Sequence, residues 1–374
     1  MDQAQLIEDL RTAVQDLLTK HYNTDFNLLR WLQGYNFDLE TVIPKLRFHL
    51  RFRRSCWNLD SAGPREDPVH KHWVWGLVGV SEKVENAIVY IEQSGRNDIN
   101  GLLKTFSGME ILKSRLKDYE RMLREVMALE KVTGKQAGIM YIMDLEGLKL
   151  DSSLLGTLTG PLKSITHVMS EHYVELFQHF IIVNAPTFVY QLWRLVRPLL
   201  PEKTRNKVKI LGPNWRREIL EFVHSDLLPD RWSDQETTFS NQLELPAKIP
   251  DENHSTKRSL DATLIFDLTV SAGKAEFVTV KVKQINSLIK FGFVVNGDFG
   301  FGVFFCGSRE DEEDLESLEM VYPQFWRLSK PTAIPIEDQV PCPRAGIYKL
   351  WFSNCHAWWH ALKIEYFVEV VLVK

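Results

Sequence analysis

Apolar side chains return every three or four positions through the start of the chain, at Leu6, Ile7, Leu10, Val14, Leu17 and Leu18, which is one stripe of a helix. Asp25 is placed to cap a second short helix that Gly34 would end, and Asp38 to cap a third running toward Trp57. Pro44 lies inside that third pattern, where its missing N–H should bend the helix or push its start later. From about 70 to 235 the texture changes to β-rich runs at 74–80, 87–92, 139–144, 180–184 and 208–211. Met109, Leu112, Leu116, Tyr119, Leu123 and Val126 mark a long amphipathic helix between them, and shorter helical patterns cover 162–173, 188–196 and 215–223. Strand–helix alternation of this kind predicts a largely parallel sheet with helices packed on it. The pattern dissolves over 233–259, where polar residues and two prolines dominate. Beyond 260 come short runs at 264–270, 277–282, 289–295, 301–305, 346–352 and 362–371, which predict at least six strands of a β-sandwich. Asn296-Gly297 between two of those runs is the dipeptide of a type I′ hairpin. The expected architecture is α+β and multi-domain: a helical lobe at 1–60, an α/β unit at 66–235, a linker at 236–258 and an all-β sandwich at 259–374. The composition break predicts that residues 1–235 fold as an independent unit.

Composition narrows the function more than the fold. With 45 Lys plus Arg against 49 Asp plus Glu, the net charge is −4, which lacks the basic excess of a dedicated nucleic-acid binder. No run approaches the roughly 18–20 consecutive apolar residues that span a bilayer. The first ten residues carry three acids and no apolar signal core, and Cys56, Cys306, Cys342 and Cys355 form no C-x-x-C pair, so a cytosolic, reduced protein is expected. No G-x-S-x-G elbow, P-loop or H-E-x-x-H occurs. The glycine-rich stretch Gly297-Asp-Phe-Gly300-Phe-Gly302 opens no helix and offers no N-terminus to a phosphate. His167, His172 and His179 are not spaced for one helical face, and scattered surface histidines account for them better than a metal. Asp144 and Glu146 fit a helix cap or a solvated turn as well as a reactive pair. The seven carboxylates of 310–319 read as a solvated loop. The residues propose no reaction, and neither an enzyme nor a bound cofactor is expected.

Longer motifs are more specific. Phe180-Ile-Ile-Val-Asn184-Ala-Pro186 is followed by Trp193, Pro198-Leu-Leu200, Thr204, Lys207 and Leu211-Gly212. Upstream stand Asp144-Leu-Glu-Gly147 and His172-Tyr-Val-Glu175, and Leu28-Leu-Arg-Trp-Leu32 with Phe37-Asp38 in the helical lobe. In order and spacing this set resembles the CRAL-TRIO lipid-binding family over about residues 1–235. The C-terminal part, through Gly346 to Asn354 and the last strand, resembles a GOLD domain, a sandwich of Golgi-trafficking proteins. The pairing is similar to that of the supernatant protein factor and tocopherol-associated protein family, cytosolic lipid binders that move between cytosol and membranes.

The resemblance implies a lipid or isoprenoid ligand in a pocket lined by Ile139, Tyr141, Met143, Glu175, Phe180, Ile182 and Lys207. It also implies a gate helix carrying Phe188, Leu192, Val196 and Leu199, bracketed by Pro186 and Pro198. Eight Lys or Arg and one acid lie between Arg194 and Arg217; of these Arg194, Arg197, Lys203, Arg205 and Lys209 are expected to face a membrane. A solvated helix face is the plainer account of the same charges. In phosphatidylinositol-transferring members a glutamate and the lysine of T-x-x-K help hold the headgroup, and Glu175 and Lys207 stand there. A further lysine is replaced by Asn36, and the strand Ser and Thr that meet choline lipids by Ile139 and Tyr141. A buried phosphate would find few cationic partners, so a neutral hydrophobic ligand is expected. The protein is then expected in the cytoplasm, transiently on Golgi or other endomembranes, with a protein partner for the sandwich. The alternative is an interaction scaffold with a vestigial pocket. Trp351, Phe352, Trp358 and Trp359 fit either exposed anchors for such a partner or sandwich core.

Overall fold

The computed structural model describes residues 2–74, 76–199, 202–257, 259–330 and 334–372; the side chains of Val196, Leu199 and Thr204 lie outside the described residues. Three helices open the chain. In α1 (Gln3–Val14) the stripe Leu6, Ile7, Leu10 and Val14 is buried. In α2 (Asp25–Gly34) the cap is Thr24, whose hydroxyl accepts the Asn27 N–H at 3.1 Å; Asp25 takes the first helical position, where its charge meets the positive end of the helix. A Cβ on Gly34 would lie 2.1 Å from Val174 Cγ1, so only glycine lets α2 end this close to the neighbouring segment. Asn36 and Phe37, at φ 54° and 62°, reverse the chain. Asp38 caps α3 (Leu39–Arg54) through Glu40 N–H, and Pro44 stays inside that helix without displacing its start.

The α/β unit follows the order β1 (Gly76–Val80), β2 (Ala87–Glu92), α4 (Ile99–Thr105), α5 (Gly108–Thr133), β3 (Gly138–Asp144), α6 (Ser152–Thr159), α7 (Pro161–His172), β4 (Phe177–Val183), α8 (Thr187–Val196), α9 (Glu202–Lys207), β5 (Val208–Ile210) and α10 (Trp215–Glu218). The strands form one sheet in the order β1-β2-β3-β4-β5, antiparallel at β1/β2 and parallel elsewhere. Alternation divides the β3 side chains between two cores. Met140 and Ile142 pack under Trp215, Ile219 and Trp232; Ile139 and Tyr141 face the core shared with α5 and the N-terminal helices. Long α5 is fixed by a Ser107/Glu110 capping box and stops at Gly134, φ 66°.

The C-terminal part has eight strands: β6 (Phe266–Val270), β7 (Ala275–Val282), β8 (Ser287–Val295), β9 (Phe299–Gly307), β10 (Glu319–Leu328), β11 (Ile336–Cys342), β12 (Gly346–Ser353) and β13 (Leu362–Leu372). They form two antiparallel sheets, β10-β9-β12-β7 and β11-β8-β13-β6. The expected Asn296-Gly297 hairpin does not form. β8 and β9 lie in different sheets, and neither Asn296 nor Gly297 has the positive φ that a type I′ turn requires. The dipeptide instead carries the chain across the sandwich, and Asn296 Oδ1 accepts the Lys363 N–H at 2.9 Å. β10 and β11 escaped the pattern reading because prolines (Pro323, Pro341) and charged residues interrupt their apolar runs.

Segment 236–257 follows the surface of the α/β unit. Phe239 and Ile249 are buried, the Gln93 side chain donates to Glu244 O at 2.8 Å, and Asp98 accepts the Ile249 N–H at 3.0 Å. The sandwich is joined to the helical part by a packed seam. Phe52 meets Phe325 edge-on at 5.4 Å, Trp57 meets Tyr322 at 5.4 Å, and Phe48 meets Trp326 at 6.0 Å. At its edge Arg51 binds Glu316 at 2.9 Å and the Leu315 and Leu318 carbonyls, so the acidic loop is partly tied down rather than wholly solvated.

Candidate functional site

The parallel strands end at a cavity of about 280 Å³, just below the ~300–1,000 Å³ usual for small-ligand pockets. Open parallel sheets commonly bind ligands beyond their C-terminal strand ends. Met143 of β3 and Ile182 of β4, paired in register, form the floor. Leu154 and Leu158 of α6 form a wall, and Phe188 and Leu192 of α8 close the top.

Helix α8 is unusual in its packing. None of its described residues is buried, although its apolar side is strong. Leu192 is 44% and Leu195 71% exposed. Asn184, at φ 52°, turns the chain out of β4, and the Asn184 amide donates to Asp144 at 2.9 Å. The Tyr190 hydroxyl tethers the outer side by donating to Leu211 O at 2.7 Å. Phe188 and Leu192 therefore sit where the gate was expected; the Val196 and Leu199 side chains fall outside the described residues.

The cavity stops abruptly at Met143. The next inward residues on the same strand faces, Tyr141 and Ile139 on β3 and Phe180 on β4, are packed into protein instead of lining it. Tyr141 lies 4.7 Å from Tyr90 and 5.7 Å from Phe180, which stacks on Phe177 at 5.4 Å. Tyr141 donates its hydroxyl to Glu92, and burial together with that carboxylate pushes its pKa well up, so it stays a phenol. Glu92 binds Arg115 at 3.0 Å, and Arg115 binds Asp118 at 2.8 Å while lying over the Trp73 ring. A second buried pair, Arg53 and Glu120, is bidentate at 2.7 and 2.8 Å and receives the Tyr173 hydroxyl.

A few polar side chains interrupt the apolar lining. Glu92 is the only ionisable side chain among its described lining residues; no Lys or Arg faces it. Trp73, Asn97 and Thr157 also line it, and Trp73 Nε1, Asn97 Oδ1 and Thr157 Oγ1 are buried without a hydrogen-bond partner. Pattern reading missed these residues and the α4 and α6 walls, because α4 is seven residues long and α6 eight, too short for a periodic signal.

Glu175 and Lys207 lie elsewhere. Glu175, at φ 53°, binds Lys207 at 2.7 Å and Lys203 at 3.4 Å, and the Lys203 ammonium donates to Gln33 O at 2.6 Å. These contacts hold α9 to the helical lobe, and neither Glu175 nor Lys207 lines the cavity. The two lysines hold the Glu175 carboxyl below its usual range against the opposing cost of burial. Arg194, Arg197, Lys203 and Lys209 are exposed and Arg205 is half-buried. Lys209 also lies over the Phe222 ring at 4.3 Å.

The expectation of surface histidines fails for His172. It is buried, 3.0 Å from His49 Nδ1 to Nδ1 and 4.0 Å from the Phe52 ring centre. Burial, reinforced by His167 and Arg53, lowers its pKa to about 3, and His49 is lowered likewise. Both are neutral core groups, and no metal-holding cluster occurs among the described residues. Asp144 is buried as an anchor, accepting Trp232 Nε1–H at 2.9 Å besides Asn184.

The α/β unit with this cavity is a CRAL-TRIO domain: the CRAL/TRIO domain family matches residues 77–233. An F28H7.8-like C-terminal domain matches 251–371, and a domain of unknown function matches 1–62. The chain is 27% identical to the CRAL-TRIO domain-containing protein F28H7.8 of Caenorhabditis elegans, over 94% of this chain and 86% of that protein. It is 22% identical to Protein ctg-1 of the same organism, over 98% and 96%. It is also 27% identical to the phosphatidylinositol/phosphatidylcholine transfer protein SFH14 of Arabidopsis thaliana, over 60% of this chain and 40% of that one. Among solved structures, Sfh5 aligns with 56% of this chain and 80% of its own at 16% identity and TM-score 0.44.

Proposed function

We propose that the protein binds a neutral, largely hydrophobic lipid in the cavity and carries or senses it, with α8 opening against a membrane. The observation that carries this reading is α8 itself, an apolar helix face set over unfilled space instead of over a core. Burial there is worth about 0.8 kcal/mol per CH₂ group of a ligand. Membrane association is reversible in this account, because no helix among the described residues is long and apolar enough to cross a bilayer, while Leu192, Leu195 and the arginines beside them are exposed.

The polar groups of the lining support a neutral ligand. A phosphodiester would meet the Glu92 carboxylate and no lining cation, and an unpaired buried charge costs several kcal/mol. A hydroxyl or carbonyl could instead satisfy Trp73 Nε1–H, Asn97 Oδ1 or Thr157 Oγ1. The aromatic filling beneath Tyr141 favours one rival, a protein-interaction scaffold with a vestigial pocket. Transfer between vesicles separates them. The full chain should move a prenol or sterol faster than phosphatidylinositol, and Ile182→Trp should abolish that transfer. No transfer of any lipid by the unaltered chain would favour the scaffold.

A further inference from the structure

The sandwich has two dissimilar ends. Register places the loops 271–274, 296–298 and 354–361 and the described residues 329–330 and 334–335 together at one end, and the acidic run 308–318 with 283–286 and 343–345 at the other. The first end carries Trp358 and Trp359, 86% and 88% exposed, whereas Trp351 and Phe352 on the preceding strand are buried at 3% and 0%. Among the described residues of these four loops the charged groups are Lys274, Lys330 and Asp298, with His356 and His360 beside the tryptophans. Asp298 is already taken by Lys163 at 2.7 Å and Arg327 at 3.0 Å.

This end is fixed against the cavity. His356 Nε2 hydrogen-bonds Trp326 O at 2.7 Å, which holds the base of the tryptophan loop on β10. The end of β10 reaches the α6–α7 junction, where Ser329 N–H donates to Ser164 Oγ at 2.9 Å and Lys163 binds Asp298. Pro161 and Leu162 of that junction line the cavity, and Leu155 and Leu158 of α6 are exposed beside it.

From this geometry we propose that the Trp358–Trp359 loop is a second membrane contact, inserting both indoles at headgroup depth next to an anionic bilayer and holding the cavity mouth toward it. The proposal rests on the lipid-binding reading above. A bilayer fits better than a protein partner. A protein anchor sits within a contiguous patch of about 800 Å² per partner. Here the two rings are the only exposed large apolar side chains among the described residues of the four loops. Exposed indoles at an end of the sandwich that also carries Lys274 and Lys330 are what the membrane–water interface accepts.

The test uses the full chain and the double variant W358S/W359S with phosphatidylcholine vesicles containing phosphatidylserine. The variant should pellet with vesicles about tenfold less, and brominated lipid should quench tryptophan emission less than in the unaltered chain. Thermal unfolding should not change, since both rings lie in solvent. Lipid content by native mass spectrometry is read in parallel. A variant that loses vesicle binding supports the surface, whether or not the chain carries lipid; an empty chain would count only against the cavity reading. Unchanged pelleting, no pelleting by the unaltered chain, or loss of a bound protein with vesicle binding intact would each overturn the proposal.

Discussion

Helices α3 and α8 both present apolar faces, and the protein uses them in opposite ways. The face of α3 is covered: Phe52 has 0% exposure between His172 and Phe325, and Phe48 and Trp57 complete the join to the sandwich. The face of α8 is left over empty volume, with no described residue buried. Amphipathic periodicity alone does not tell a structural helix from a gate. What separates them is whether the opposing residues fill the space, as Tyr322, Phe325 and Trp326 do, or stop short of it, as Met143 and Ile182 do.

Mutations at the filled face should therefore cost stability, and those at the open face should cost ligand. The largest expected loss is at the ion pair behind the seam. Glu120→Ala leaves Arg53 buried beside only Asp60 and should destabilise by roughly 3–5 kcal/mol in denaturant unfolding. Phe325→Ala, which strips the seam of its edge-on contact, should cost about 3–5 kcal/mol; a loss under 1 kcal/mol would mean the sandwich is only loosely joined. The same seam makes residues 1–240 alone expose Phe52 and Trp57, so aggregation of that fragment is expected, against the independence that the composition break at 233–259 suggested.

Acid should act through the buried histidines. His172 has a folded pKa of about 3 against an ordinary 6.5, so the unfolded chain binds the proton first. Stability is then full above pH 6.5 and falls as pH drops toward 3, by about 1.4 kcal/mol per pH unit from His172, and His49 acts in the same direction. His49→Phe/His172→Phe should flatten the slope of denaturation midpoint against pH between 6.5 and 4; an unaltered slope would assign the acid sensitivity elsewhere.

The open face should respond differently. Leu192→Ser should shift stability by no more than about 0.5 kcal/mol, because the side chain is 44% exposed, yet slow lipid uptake. The smallest effect on ligand is expected at Lys207→Ala, which should cost about 0.5–1 kcal/mol of stability through its partly exposed pair with Glu175 and leave cavity occupancy unchanged. A selective loss of phosphatidylinositol binding would instead return Lys207 to a headgroup role.

Much of this architecture was legible in the chain. Alternating strand and helix patterns located the parallel sheet to within a few residues, since buried strands and a 26-residue capped helix leave strong periodic signals. The N-A-P turn and the proline-bracketed pattern located α8, which lines the cavity. What pattern could not show was depth. Ile139, Tyr141, Met143, Phe180 and Ile182 share one face by alternation, but only Met143 and Ile182 reach open space, because aromatic neighbours fill the rest: Tyr90 of β2 and Phe177 of β4, the latter backed by Tyr119 of α5. The Asn296-Gly297 misreading has a similar cause: the dipeptide is a local signal, and the pairing of β9 with β12 across 40 residues overrode it. His172 and His49 stand 123 residues apart, a distance over which periodicity says nothing.

The central claim is that the cavity under α8 holds a neutral lipid, and native mass spectrometry of the full chain from its own cells, followed by lipid extraction, tests it most directly. The account predicts a bound neutral species carrying a hydroxyl or carbonyl, absent from Ile182→Trp. Phosphatidylinositol as the dominant bound species, or a ligand retained by Ile182→Trp, would contradict it.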